Sequence, residues 1–214
     1  MIRELLKFNK NSYFFSMVVL LLPVIFVQQE ATLQMYLEDP LVIKGGQSLF
    51  IETFNAYRWL AFLLMPLMIL LRSLYTTTCL FIGRVLSNQV EKTKFSDIFN
   101  ISLKSDIIFC IFSVVGFVLL IFFGYNESQI MIRNCTLAVF FDVDILDAWF
   151  VFLLASISIF EVFYCLLLAL CYAATYSEKF LTSLKFVFSS YGLGLVFYIS
   201  VATFVLYYIQ TKIS

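Results

Sequence analysis

Residues 147–173, DAWFVFLLASISIFEVFYCLLLALCYA, form an apolar run that begins with Asp147 and has one further acidic residue, Glu161, near its middle. The run is long enough to cross the hydrocarbon core of a bilayer, which takes roughly 20 residues of helix. An ionisable side chain at that depth costs about 2.5 kcal/mol or more, so it is usually buried in protein, paired or protonated. The run therefore predicts a membrane helix at the centre of a bundle, with a partner for Glu161.

Composition indicates the same class of protein. The 214 residues are 62% hydrophobic and 13% charged, whereas soluble domains are about 45–50% apolar and about 25% charged. A transmembrane β-barrel would show alternating segments of about 10 residues instead of long apolar runs. We therefore expect an all-α, polytopic transmembrane bundle that forms a single membrane domain over residues 1–214. Its partners include the lipid bilayer.

Several functional classes are disfavoured. The net charge is zero and the chain has no His, which argues against a nucleic-acid partner and removes His-based catalysis and most zinc sites. The five cysteines form no C-x-x-C pair, and the sequence contains no phosphate loop, G-x-S-x-G or dinucleotide fingerprint. We expect no cofactor and no enzymatic activity.

Hydropathy predicts five spans, at about 13–28, 56–86, 107–123, 148–173 and 184–209. The second is longer than one crossing needs, contains Pro66 and is interrupted by Arg72. It fits one long helix, a span ending at Arg72 with an interfacial segment, or two spans. We favour one long helix because Arg72-Ser73 is a poor hairpin turn.

The segment ahead of the third span has apolar residues at helical spacing, namely Phe95, Ile98 and Phe99. This spacing predicts a short amphipathic cytoplasmic helix on the membrane face.

Arg72 is the candidate partner of Glu161. If both helices start at the outer face, Arg72 lies ~24 Å and Glu161 ~18 Å along them, a difference that an arginine side chain bridges. Two alternatives stay open: Arg72 marks the inner end of its span while Glu161 is protonated, or Glu161 belongs to a proton or substrate relay. Ser158, Cys165 and Tyr172 share a face with Glu161 and predict a polar stripe toward the bundle interior.

Two further patterns have structural interpretations. Ser190 and Gly194 form a small-x-x-x-small face that allows a neighbouring helix to approach closely. Asp142, Asp144 and Asp147 could hold a cation through oxygen ligands. We favour helix capping for them, with Asp144 as N-cap and Asp147 in the first turn.

Lysine and arginine placement predicts the orientation. With the N-terminus inside, nine basic residues lie in cytoplasmic segments: Arg3, Lys7, Lys10, Arg84, Lys92, Lys94, Lys104, Lys179 and Lys185. Outer segments hold three: Lys44, Arg133 and Lys212. This positive-inside bias places the C-terminus outside.

The span pattern, with KTKFSDIFNISLKSD leading into the third span, resembles the Yip family of small five-span membrane proteins, including its bacterial members. The resemblance implies a multi-pass protein and, for the bacterial members, an inner-membrane location. The acidic N-terminal signature of eukaryotic members is absent, so their trafficking role is not implied here.

Two functions remain. One is a non-enzymatic membrane scaffold or accessory subunit that contacts other membrane protein subunits through its helices. The other is a transport or permease component with Glu161 in an ion or substrate path. A water-filled cavity that reaches Glu161 would favour transport, and a dry, paired Glu161 would favour the scaffold.

The topology is testable by single-cysteine labelling on a cysteine-free background. A cysteine at position 44 or 133 should react with an impermeant reagent from outside, whereas one at position 94 should react only after the membrane is opened. Labelling of position 94 from outside would contradict the five-span model.

Overall fold

The computed structural model describes residues 9–37, 47–87, 94–142 and 145–213, and these are almost entirely helical. The helices are α1 (Lys10–Leu37), α2 (Gln47–Tyr57), α3 (Trp59–Leu86), α4 (Phe95–Ser105), α5 (Ile107–Arg133), α6 (Ala148–Ser156), α7 (Ile159–Tyr176), α8 (Phe180–Val187) and α9 (Leu193–Ile213). A 3₁₀ turn, Leu137–Phe140, precedes α6, and a π-helical segment, Phe188–Gly192, joins α8 to α9.

Among the described residues, five stretches are long and apolar enough to cross a membrane: Lys10–Gln34, Trp59–Leu86, Phe95–Gly124, Ile159–Tyr176 and Phe180–Lys212. The chain is therefore an integral membrane helical bundle, the fold class that composition predicts. The first helix extends nine residues beyond the predicted end at position 28, to Leu37, so the predicted loop after it begins too early. The fifth begins at Phe180 rather than 184.

The second span is one helix of 28 residues, α3, with Pro66 inside it. This is the long-helix alternative. Arg72 does not end the helix, since 14 more residues follow it, up to and including Leu86. At ~1.5 Å per residue, Arg72 lies ~20 Å from either end of α3, which is close to mid-depth in the bilayer.

The fourth span is not the single helix predicted over 148–173. Helix α6 ends at Ser156, and Ile157 and Ser158 are extended, with φ/ψ of −96/94 and −118/157. The backbone groups freed by this break pair with the chain after α5: Leu137 N–H donates to Ile157 O, and Ile159 N–H donates to Cys135 O, both at 3.0 Å. A broken helix at membrane depth is tolerated where protein satisfies its backbone in this way.

Helices α6 and α7 pack along the last part of the chain, on either side of the break. Helix α6 contacts α9, and α7 contacts α8. At the far end, Gln210 Nε2 donates to Asp147 Oδ1 at 3.2 Å. The break lies nine residues, ~13 Å, from the start of α6. The connection after α5, which the sequence places in an outer loop, therefore pairs with residues well inside the fourth apolar run.

The amphipathic helix before the third span exists, as α4, but it is packed into the bundle. Ile98 is 0% exposed, whereas Phe95 is 40% exposed and touches the Phe81 ring. Helix α4 packs against α3 and α7, and its last turn is buried. A turn at Asp106 leads directly into α5, so α4 forms part of the third span. Of the apolar residues of this helix, Ile98 is buried by protein, so α4 does not simply lie on the membrane face.

Candidate functional site

The structure brings Arg72 and Glu161 together. Arg72 Nη2 lies 2.8 Å from Glu161 Oε2, and the Glu161 side chain is 12% exposed. The centre of the guanidinium lies 3.3 Å from the centroid of the Phe109 ring and 5.0 Å from that of Tyr164. The ion pair is thus covered on one side by two aromatic faces, which attract a cation through their quadrupoles.

Glu161 reaches Arg72 because of the helix break. It occupies the first turn of α7, where its backbone N–H donates to the Ser158 side chain at 3.3 Å. Ser158 is therefore the N-cap of α7 rather than a member of a continuous stripe on one helix. A carboxylate in the first turn also interacts favourably with the helix dipole. Its second oxygen, Oε1, accepts a hydrogen bond from the Tyr191 hydroxyl.

A second buried carboxyl, Asp106, completes the site. Its side chain is 3% exposed, and Oδ1 lies 3.6 Å from Arg72 Nε. Oδ2 accepts a hydrogen bond from Ser73. Asp106 connects α4 to α5 and so places its carboxyl beside the middle of α3. We define Arg72, Asp106 and Glu161 as the charge network.

Neutral hydroxyls extend the charge network toward the core. Tyr164 donates to Thr76 Oγ1 at 3.0 Å and lies 3.4 Å from Ser102 Oγ. Ser102 in turn donates to Ser73 O at 3.0 Å. Hydrogen bonds therefore connect α3, α4 and α7 at the level of Arg72. The hydrogen bond from Tyr191 to Glu161 connects the π-helical segment to the same site.

The charges in the network do not balance when both carboxyls are ionised. One guanidinium faces two carboxyls, so the fully ionised network carries one excess negative charge at membrane depth. Such a charge is costly in hydrocarbon. A proton held by one of the two carboxyls balances the network. Of the two alternatives for this pair of residues, the structure has Glu161 against Arg72, and Arg72 does not mark the end of its span.

Sequence reasoning missed Asp106 and Tyr191. The sequence pattern places Asp106 at the end of a surface helix, where its carboxyl would only flank the third span. Treating residues 95–124 as one 30-residue helix would have placed Asp106 twelve positions into a span, where an acidic residue is exceptional. Tyr191 carries no comparable signal, because tyrosines are common in this chain.

The other predicted polar residues fall outside the network. Cys165 is buried one turn beyond Glu161. Tyr172 accepts a hydrogen bond from Arg84 Nε. Arg84 is buried, pairs with Glu178 Oε1 at 2.7 Å, and lies 4.8–5.2 Å from the Tyr172, Tyr176 and Phe186 ring centroids. It was expected in a cytoplasmic segment, but the structure makes it part of the core.

Ser190 and Gly194 lie where α3 approaches the fifth span. A Cβ atom on Gly83 would collide with Ser190, and one on Gly194 would collide with the sulfur of Cys79. The Tyr75 hydroxyl also donates to Gly194 O at 2.5 Å. Small residues on both helices thus permit this contact, which holds α3 against the π-helical segment that carries Tyr191.

The aspartates before α6 do not form the cap that the sequence predicted. Asp147, rather than Asp144, is the N-cap residue, and no side-chain capping hydrogen bond is present there. Asp144 lies outside the described residues, and Asp142 is exposed. Within the ranges that the structure describes, no group of three His, Cys, Asp or Glu side chains could hold a metal ion.

Comparisons of the chain with protein-family models, curated proteins and solved structures found no match. The resemblance to the Yip family therefore stays a prediction.

A double-mutant cycle tests the ion pair. Arg72→Gln and Glu161→Gln should each destabilise the purified protein, by on the order of 3 kcal/mol, because each leaves a charge without its partner. The double variant should recover part of that loss, which is measurable as a coupling between the two sites. The readout is the melting temperature of all four proteins in one detergent at neutral pH, and strictly additive losses would refute the pair.

Proposed function

We propose that this chain is a non-enzymatic integral membrane scaffold or accessory subunit that acts through helix contacts with other membrane proteins. The observation that carries the proposal is the exposure of Arg72. Its side chain is 35% exposed at ~20 Å from both ends of α3. Nε is buried and Nη2 pairs with Glu161, so the exposed part is the remainder of the side chain, in which any polar atom left in hydrocarbon is costly. If a helix of a partner subunit packs against Arg72, the exposed part of this side chain contacts protein instead of lipid.

The surroundings of Arg72 support a partner helix. Leu71 and Leu74 beside it are exposed apolar side chains, so a helix can pack there without desolvating further charges. Small or aromatic residues on that helix would contact the guanidinium without competing for Glu161. Within a bilayer, close packing and interhelical hydrogen bonds drive such association.

We further propose that the protein lies in a bacterial inner membrane with its N-terminus in the cytoplasm and its C-terminus outside. The excess of Lys and Arg in the segments assigned to the inner side supports this orientation. Arg84 and Lys104 are buried in the bundle and contribute less to that rule, but the remaining basic residues keep the same bias. The bacterial location follows from the resemblance to bacterial Yip members.

Transport is the second candidate, and the helix break favours it. Discontinuous helices near the bilayer midplane form substrate and ion sites in many transporters, and here the break at Ile157 and Ser158 directly precedes Glu161. The chain has only seven Gly and three Pro, and this break contains neither. Transport also requires a water path to Glu161. The cavity between α1, α2 and α3 is lined by neither Glu161 nor Arg72, and Glu161 is paired with Arg72; this pairing favours the scaffold.

Site-specific photo-crosslinking tests the scaffold function. A photoreactive phenylalanine analogue at Leu71, beside the exposed part of Arg72, should give one discrete protein adduct in native membranes. The matched control is the same analogue at Val118, an exposed position on α5, which should react with lipid only. Equal protein adducts at both positions, or none at Leu71, would contradict a partner at this face.

A further inference from the structure

The two carboxyls that face the Arg72 guanidinium have different surroundings. Asp106 is the C-cap of α4 and Glu161 lies in the first turn of α7, and both side chains reach Arg72 in the middle of α3. The charge network is neutral when one carboxyl is ionised and the other carries a proton. The hydrogen bonds that each carboxyl receives decide which of them holds the proton.

Glu161 has the contacts of an ionised carboxylate. Its Oε2 lies 2.8 Å from Arg72 Nη2, and its Oε1 accepts a hydrogen bond from the Tyr191 hydroxyl. Each oxygen of the carboxylate therefore has a donor, and one of the two donors is charged. Hydrogen bonds to a charged partner are about twice as strong as those between neutral groups, so these contacts stabilise the negative charge on Glu161.

Asp106 has fewer donors and is more deeply buried, with 3% of its side chain exposed against 12% for Glu161. Its Oδ2 accepts a hydrogen bond from Ser73, but Oδ1 is buried and has no hydrogen-bond partner among the described residues. Arg72 Nε lies 3.6 Å from Oδ1, which is too long for a hydrogen bond. A buried acceptor without a donor costs more when it is charged than when it is neutral.

A proton on Asp106 fits the contacts that this side chain makes. A hydroxyl can donate or accept, so Ser73 Oγ can receive the O–H of a neutral carboxyl at the same place where it now donates to Oδ2. Only Oδ1 then stays without a donor, and in the neutral carboxyl this oxygen carries no charge. Protonation therefore removes the most expensive feature of the site, an incompletely paired negative charge at membrane depth.

The structure offers Asp106 no second cation among the described residues. Lys104 is two positions earlier, and residues with this spacing on a helix do not face each other; Lys104 lies near Cys171 instead. The other ionisable side chains around Asp106, apart from Arg72 and Glu161, are phenols and a thiol, which are ordinarily neutral at neutral pH: Tyr164 on α7, Tyr13 on α1 and Cys110 on α5.

We propose that Asp106 is a proton-binding site within the membrane, which holds one proton at neutral pH while Glu161 stays ionised as the counter-ion of Arg72. The bound proton makes the charge network neutral, so the α4–α5 junction packs against the middle of α3 without an excess charge. Release of the proton restores that charge and destabilises the bundle. The site lies within the chain itself and does not depend on a partner helix at Arg72.

Isotope-edited infrared spectroscopy of the full chain in lipid vesicles at neutral pH tests this assignment. A protonated carboxyl gives a C=O stretching band that ionised carboxylates lack. The band should shift when the side-chain carboxyls of aspartate carry carbon-13, and it should not shift when those of glutamate do. Asp106→Asn should remove the band. The matched control Asp97→Asn, at an exposed position in the first turn of α4, should leave it in place.

Thermal unfolding in the same vesicles gives a second readout. Asp106→Asn exchanges one neutral group for another of similar shape, so its melting temperature at neutral pH should stay near that of the unaltered chain. Glu161→Gln removes the counter-ion and should melt lower. As the pH rises, the unaltered chain should lose stability relative to Asp106→Asn, because its folded state binds a proton that its unfolded state has released.

Three results would overturn the proposal: no band of a protonated carboxyl at neutral pH, a band that shifts with glutamate labelling, or an Asp106→Asn variant that melts as low as Glu161→Gln. The labelling experiment uses the unaltered chain, so it decides the assignment even if a variant does not fold.

Discussion

The fold depends on neutralising one guanidinium in the middle of a membrane helix. Arg72 lies at the centre of α3, where solvation by water is not available and an unpaired charge is expensive. Glu161, Asp106 and the Phe109 ring surround it, and each comes from a different part of the chain. Satisfying this one group therefore fixes how α3, the α4–α5 junction and α7 lie relative to one another.

The irregular backbone near the network follows from the same constraint. Breaking the fourth span at Ile157 and Ser158 puts Glu161 in the first turn of α7, where Ser158 caps the helix. The cost of the break is offset by the two backbone hydrogen bonds to the segment around Thr136. The π-helical segment Phe188–Gly192 carries Tyr191 to the free oxygen of Glu161. Such segments often occur at functional sites in helices.

The sequence was sufficient for the class of fold and for noticing Arg72 and Glu161, because hydropathy and isolated charges in apolar runs are local signals. It was insufficient for Asp106, because whether a carboxyl flanks a span or lies within one depends on how α4 packs. The break at Ser158 was also invisible, since neither glycine nor proline marks it and its backbone groups are satisfied by residues about 20 positions earlier. These features depend on tertiary contacts, which no short window of sequence contains.

Arginine 58 provides the sharpest test of this account, because Arg58 and Arg72 both pair with a glutamate at 2.8 Å but differ in depth. Arg72→Met should destabilise the protein in bilayers by on the order of 3 kcal/mol, as expected when one partner of a buried pair is removed. Arg58→Met, at the interface, should cost about 1 kcal/mol or less. The measurement is the unfolding free energy of both variants in the same lipid vesicles. Equal losses would contradict the central role of Arg72.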